Sequence, residues 1–225
     1  MLLSIDSSAV TASVALTDGD NVLRNEFVNT GLTHSETLMP MIIRVMDGYD
    51  FGRLDGIAVT AGPGSFTGVR IGVATVKGLA FQHNIPCYSV STLDTVAHAF
   101  ADENAVICAV MDARRMQFYN ALFRCRDGVI ERLTPDRAIS IEELRAELCD
   151  YDDVIVAGDG AVLCCNNIGL ANCRIADSDR MYQNALYIHN VAKNISPITA
   201  KELVPVYLRL SQAERELKLK KEIKL

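Results

Sequence analysis

Little in this sequence announces a membrane protein, a nucleic-acid-binding module or a self-contained enzyme. No apolar run reaches the roughly 18 residues that a bilayer-crossing helix needs. The opening MLLSIDSSAV has no basic segment ahead of its apolar residues, so no signal peptide is expected and the location expected is cytoplasmic. Basic residues are outnumbered, 22 Lys and Arg against 28 Asp and Glu, for a formal net charge of −6. A broad phosphate-binding surface needs a positive field and is excluded, which leaves room only for a local basic patch. Basic and aromatic residues do not interleave as they do in single-strand binders, which argues against a self-sufficient RNA-binding module.

Catalytic signatures are missing as well. The four histidines, His34, His83, His98 and His189, contain no i, i+4 pair and no H-E-x-x-H. No G-x-S-x-G elbow occurs. The seven cysteines (Cys87, Cys108, Cys125, Cys149, Cys164, Cys165 and Cys173) form no C-x-x-C pair and are odd in number. Most have apolar neighbours and read as small core hydrophobes in a reducing compartment.

What the sequence does have is a repeat. The 225 residues, 49% hydrophobic, suffice for one large domain or two small lobes. Alternation predicts strands over 2–6, 12–17 and 22–27, with Asp18-Gly19-Asp20-Asn21 as a hairpin turn. An amphipathic helix over 33–46 opens with a capping-box pair, Thr33 and Glu36. It carries Leu38, Met41, Ile42, Val45 and Met46 on one stripe. A buried strand (56–60), a Gly-rich turn, a small-residue helix (67–82), a strand (85–90) and a helix (92–100) complete the first half.

The second half begins the same way. A strand over 106–111 ends at Asp112, 117–124 alternates, and Arg126-Asp127-Gly128 turns into a strand over 129–133. Ile5-Asp6 then falls on Met111-Asp112, and Ala15-Leu16 on Ala121-Leu122. A helix (141–148), a strand (154–157) running into Gly158-Asp159-Gly160, a helix (180–193) and a last strand (204–208) follow. Both halves read βββαβα, an internal duplication of about 105 residues. The expected fold class is α/β, the duplicated actin-like (ASKHA, ribonuclease H-like) fold. Its lobes are expected at 1–103 and 104–210, with a charged tail at 211–225 that reads as a solvated helix or a docking segment.

The most distinctive segment is Ala61-Gly62-Pro63-Gly64-Ser65-Phe66-Thr67-Gly68-Val69-Arg70, which follows a strand and opens a helix. Its glycines permit positive φ and close backbone approach, and the helix start offers N–H groups to an anion. The G-x-x-x-x-G-K-[ST] spacing of a P-loop is not met. Two readings stand, a structural turn and a ligand-facing loop. Glycine continues into the helix at Gly68, Gly72 and Gly78, and each interior glycine costs about 1 kcal/mol relative to alanine. Something must therefore pack closely on this backbone. A neighbouring helix is the obvious candidate, from this chain or from a partner.

Asp6 and Asp112 end equivalent strands, where an actin-like cleft approaches metal and phosphates. Asp6-Ser7-Ser8 has the small polar residues that let backbone N–H groups reach an anion. Asp112-Ala113-Arg114-Arg115-Met116 does not, because bulky side chains fill the turn. A vestigial nucleotide cleft follows, with ATP hydrolysis disfavoured. Gly158-Asp159-Gly160-Ala161 falls where that fold places an adenosine-contacting turn, but reads more simply as a strand–helix turn. His34, in the first turn of its helix, is expected to be solvated or helix-capping.

The GPGSFTGVRIG segment resembles the TsaB (YeaZ) family, and so do Leu3-Ser4-Ile5-Asp6-Ser7-Ser8, Thr33-His34-Ser35-Glu36, Ser91-Thr92-Leu93-Asp94 and Met111-Asp112-Ala113-Arg114, in order. The likeness is strong over 1–120 and looser beyond. It implies a non-catalytic subunit that pairs with a TsaD-like catalytic subunit, works with a TsaE-like ATPase, and forms homodimers in isolation. Together these support threonylcarbamoylation of N6 of adenosine 37 in tRNAs reading ANN codons. It also implies that tRNA is met indirectly, through the complex, with direct contact by Arg114, Arg115 or the tail left open. ATP, ADP and metal then belong to the partner subunits, with no cofactor or metal held by this chain alone.

Pairing in the family runs through the first two helices, here 33–46 and 67–82. The residues this implies are His34, Glu36, Leu38, Met41, Ile42 and Val45, with Val69, Gly72, Val73 and Val76. The catalytic relatives carry V-x-H-x-x-x-H after a comparable Ile-Pro strand, and Thr92 and Val96 stand at those two histidine positions. The alternative is an enzyme in its own right, an actin-like ATPase or kinase or a peptidase. The arginine-filled second hairpin and the missing histidine pair stand against it.

Overall fold

The computed structural model describes residues 1–30 and 33–209, and the 211–225 tail lies outside them. In the first half, β1 (Leu2–Asp6), β2 (Ala12–Asp18) and β3 (Asn21–Val28) form the antiparallel meander. They are followed by α1 (His34–Val45), β4 (Gly56–Gly62), α2 (Phe66–His83), β5 (Cys87–Ser91) and α3 (Thr92–His98). β4 runs parallel to β1, with Ile5 opposite Val59, and β5 runs parallel to β4. The strand order is β3-β2-β1-β4-β5.

The second half contains β6 (Ala105–Asp112), β7 (Gln117–Arg126), β8 (Val129–Arg132), β9 (Arg137–Ser140) and α4 (Ile141–Leu148). Then come β10 (Val154–Ala157), α5 (Ala161–Ile168), β11 (Cys173–Ile175) and α6 (Ile188–Ala192). Its sheet runs β11-β10-β6-β7-β8, with β9 added on β7. Strand for strand this is the first sheet again, β6 taking the place of β1 and β10 that of β4. The repeat read from the sequence is a repeat of topology.

Period-two alternation decides which faces are buried. Leu3 and Ile5, Val14 and Leu16, and Ile57 and Val59 point to one side of the first sheet. There they meet Leu38, Met41, Ile42 and Val45 of α1 and Val69, Val73 and Val76 of α2. The opposite face carries Ala15, Ala58 and Val90, and these small residues admit Ala185, Ile188, Val191 and Ala192. In the second sheet Val106, Cys108, Val110, Val154 and Val156 face α4 and α5. Ile107, Ala109, Phe123 and Ile155 face Leu93, Val96, Ala97 and Phe100.

The halves therefore exchange their last helices. α3 belongs to the first half by sequence but covers the second sheet, while α6 covers the first. α3 and α6 also pack on each other. The inner faces of the two sheets are sealed by this exchange.

Several sequence expectations are corrected. The helix over 180–193 is broken, with a 3-10 turn at Ala185–Tyr187 leading into α6 and irregular chain before it. Gln183 is fully buried, and Thr11 Oγ1 donates to its carbonyl; ordering that chain around the cleft takes the place of a regular helix. Residues 204–208 form no strand. Val206 N donates to Ala61 O at 2.7 Å, but the chain leaves the sheet after that one bond. α5, β9 and β11 add to the expected elements; β9 and β11 are too short to show a pattern, and α5 carries its buried Ala161, Cys164 and Ile168 in a segment that reads as a turn at Gly158-Asp159-Gly160-Ala161.

Because α6 closes the first sheet from the second half, Ile188→Ala should unfold both halves together. One cooperative urea transition is expected, lowered by about 2–4 kcal/mol. Two separated transitions would show the halves to be independent.

Candidate functional site

The glycines of the distinctive loop are set by close backbone approach. Gly62 has φ +127°, and a Cβ there would lie 2.3 Å from Val206 O. A Cβ on Gly64 would lie 2.4 Å from Ser8 O, one on Gly68 2.1 Å from Ser7 O, and one on Gly72 2.5 Å from Ser7 Oγ. All four distances are too short for any side chain. The loop and the first turns of α2 are thus pressed onto the β1–β2 hairpin. Ser65 N donates to Ser8 O at 2.7 Å, Ser7 Oγ donates to Gly68 O at 2.9 Å, and Ser65 Oγ caps α2 by accepting from Gly68 N.

Ser7 and Ser8 are buried under this clamp, which leaves Val10 as the exposed tip of the hairpin. One N–H of the hairpin is taken, because Ser8 N and Ser8 Oγ both donate to Asp6 Oδ1, at 3.0 and 3.1 Å. Burial pushes the Asp6 carboxyl up from its ordinary value, and these hydrogen bonds oppose it. His34 is not solvated. Its Nε2 donates to Ala9 O at 2.7 Å, tying the start of α1 to the same hairpin. Thr33 does not cap the backbone either; its hydroxyl donates to Glu36 Oε2 at 2.8 Å.

The second half repeats the arrangement. A Cβ on Gly158 would lie 2.0 Å from Val110 O, and one on Gly160 3.0 Å from Asp112 N. The turn after β10 is therefore pinned to the end of β6, as the turn after β4 is pinned to β1. Arg114 N donates to Asp112 Oδ1 at 2.7 Å, and Arg114 Nη1 donates to Oδ2 at 3.1 Å. Arg114, Arg115 and Met116 all have positive φ, 67°, 58° and 55°. For side chains larger than glycine that conformation costs roughly 1–2 kcal/mol per residue.

Between the two hairpins lies a cleft of about 650 Å³. Ser8, Gly64, Ser65 and Thr67 line it from the first half, and Asp112, Arg114, Tyr119, Asp159 and Tyr182 from the second. Tyr207 and Arg209 close one side. Tyr207 stacks on Phe66 at 4.7 Å and accepts from Arg70 Nε at 2.7 Å, while the Arg70 guanidinium sits 3.7 Å over the Phe66 ring. Arg209 Nη1 donates to Ala113 O at 2.7 Å, so this C-terminal strap joins the two halves. Sequence reasoning missed Tyr119, Tyr182, Tyr207 and Arg209, which no local motif marks.

Burial pushes the thiols of Cys125 and Cys165 up to about 11 and that of Cys164 to about 12, so all three stay protonated at neutral pH. Among the described residues no group of three or more His, Cys, Asp or Glu side chains is placed to hold a metal. Thr92 and Val96 are buried in α3.

A family model described as TsaD, tRNA N6-adenosine threonylcarbamoyltransferase, matches residues 29–155, more than half the chain. The chain is 31% identical to the tRNA threonylcarbamoyladenosine biosynthesis protein TsaB of Bacillus subtilis (strain 168), over 95% of its own length and 96% of the relative's. It belongs to the TsaB (YeaZ) family. TsaB of Haemophilus influenzae is 30% identical over 92% of this chain and 93% of the relative. The solved structure of YeaZ from Pseudomonas aeruginosa superposes with a TM-score of 0.78 at 26% identity, covering 92% of this chain and 99% of that one. The fold is the two-lobed actin-like fold of that family, and among the described residues no helix is long and apolar enough to cross a membrane.

For a TsaB-family chain the expected partner-binding residues need correction. Leu38, Met41, Ile42 and Val45, with Val69, Gly72, Val73 and Val76, are buried in the chain's own core. The stripe was read correctly, but the first sheet occupies it. The outward face of the same two helices is a second, narrower stripe. Met39 (40% exposed) and Ile43 (61%) lie one turn apart on α1, and Phe81 is 80% exposed near the end of α2. Gly78 is exposed, with nothing within 4 Å of an added Cβ. The i, i+4 spacing of Met39 and Ile43 was legible, though the stronger stripe masked it.

Two outcomes follow. Gly68→Ala should cost about 2–3 kcal/mol through overpacking against Ser7 O, whereas Gly78→Ala should add about 1 kcal/mol of helix stability. Urea melts of the two variants, moving in opposite directions, check this.

Burial, opposed by the Gln183 hydrogen bond and aided by the Asp112 charge, lifts the Asp159 carboxyl from 3.8 to about 6. Its folded pKa exceeds its unfolded one, so its stability contribution is full below about pH 3.8 and lost as pH rises through about 6. Asp159→Asn should therefore gain on the parent chain as pH rises, by up to about 3 kcal/mol above neutral. Melts at pH 4.5 and pH 8 that show the same difference would refute it.

Proposed function

We propose that this chain is the non-catalytic partner subunit of a tRNA threonylcarbamoyladenosine synthesis complex. It pairs with a TsaD-like transferase through the outward face of α1 and α2. The observation that carries the reading is the exposure of Met39 and Ile43 on α1 and of Phe81 on α2, where Ala74 and Gly78 leave the helix surface bare. Small residues let a second helix approach closely, and an exposed aromatic at the rim supplies an anchor. Burying Phe81 on association would contribute about 2–3 kcal/mol.

Both actin-like hairpins support an accessory rather than an ATPase role. In each hairpin one N–H, on Ser8 and on Arg114, is spent on the aspartate of the same turn, Asp6 and Asp112, and is lost to a phosphate chain. The name of the Bacillus subtilis relative supplies the pathway, and the partner, a TsaE-like ATPase and a homodimer in isolation belong to the proposal. Nucleotide and metal chemistry is assigned to the partner subunits.

Phe81→Asp and Ile43→Asp should each weaken pairing at least tenfold, about 1.4 kcal/mol. Both sites are exposed, so melting temperatures should stay within a few degrees of the parent. Co-purification with the transferase subunit, and the modified nucleoside content of tRNA in cells carrying each variant, are the readouts. Normal pairing by both variants would remove this face from consideration, and ATP turnover by the purified chain alone would overturn the accessory role.

A further inference from the structure

The mouth of the interlobe cleft gathers basic and aromatic side chains that chain order keeps apart. We propose that this rim contacts single-stranded RNA directly, with phosphates on Arg114, Arg115 and Arg209 and one unpaired base stacked against Tyr207. The choice of RNA rests on the proposed pathway, but the contact surface is separate from the α1–α2 face.

Charge is the first support. Arg114 is 85% exposed, and Arg115 is exposed beside it at the tip of the second hairpin. Three successive left-handed residues hold that tip, a conformation glycine or asparagine would take with less strain. Strain retained at a tip that presents two arginines, Arg115 to solvent and Arg114 against Asp112, points to a use for them. Arg209 lies against the same hairpin through its bond to Ala113 O. Among cleft-lining residues only Asp112 and Asp159 are acidic; Arg114 pairs with Asp112, and Asp159 is largely buried. A local positive edge thus forms on a chain whose net charge is −6.

The aromatic platform is the second support. Tyr207 is 41% exposed and lines the cleft. One side of it is held by Phe66, and its hydroxyl is held by Arg70, so a stacked base meets a ring already fixed in place. The adjacent 650 Å³ is within the range of about 300–1,000 Å³ that ligand pockets occupy. A free nucleoside triphosphate would find one backbone donor of each hairpin already held by Asp6 or Asp112. Phosphates spread along a strand need only the side chains at the rim.

The test is fluorescence anisotropy with a labelled tRNA transcript and a labelled 12-nucleotide oligo(A). It uses the full chain alone and the chain mixed with its transferase subunit, over a salt series. Arg114→Gly with Arg115→Gly keeps the positive-φ turn while removing both charges. This double variant should bind both RNAs at least tenfold more weakly, with the log–log salt slope reduced by about 0.7 for each arginine lost. Tyr207→Leu should weaken oligo(A) binding severalfold without changing that slope. Parental affinity and slope for the double variant, in the isolated chain and in the mixture alike, would overturn the proposal. Phe81→Asp keeps the two readings apart, since it should lose pairing yet bind RNA as the isolated parent chain does.

Discussion

Two backbone carbonyls, those of Ser7 and Ser8, occupy the space that side chains at Gly68 and Gly64 would need. That contact fixes where α2 begins and presses it onto the hairpin after β1. It also sets how α1 meets α2, because His34 at the start of α1 bonds Ala9 of the same hairpin. Replacing either glycine would lift α2 from the sheet, and the core of Val69, Val73 and Val76 would open with it. The outward faces of α1 and α2, the shape of the cleft and the seat of the strap at Gly62 all inherit their positions from this one approach.

The second half uses the same device with different chemistry. Gly158 and Gly160 bring the turn after β10 against Val110 and Asp112, so the two hairpins face each other across the cleft. Each hairpin folds its own aspartate back onto one backbone donor, Ser8 N onto Asp6 and Arg114 N onto Asp112. What remains exposed at the rim is side-chain chemistry: guanidinium groups from one hairpin, an aromatic ring and a further arginine from the strap. The exchange of α3 and α6 between the sheets holds these two sides in a fixed relation.

This division of labour suits an accessory subunit. The outer surface of α1 and α2 offers apolar side chains and bare backbone to a partner, at no cost to the core beneath. The thiols of Cys125, Cys164 and Cys165 are held protonated at neutral pH by burial.

The sequence by itself determined the duplication, the strand-and-helix order of the first half and the place of the Gly-rich turn. Those features are written in local periodicity and turn chemistry, which act over a few residues. It also located α1 and its stripe, but could not say what the stripe would meet. A row of Leu38, Met41, Ile42 and Val45 looks the same whether a sheet or a partner covers it, and only the packed sheet decided. The need for close approach at Gly68 and Gly72 was legible too; that the neighbour is Ser7 rather than another helix was not. Tyr207 and Arg209 joined Phe66, Arg70 and Ala113 across more than ninety residues of sequence, and no local pattern records contacts of that range. Side-chain identity carries the local rules, whereas the pairing of distant surfaces is settled only when the whole core closes.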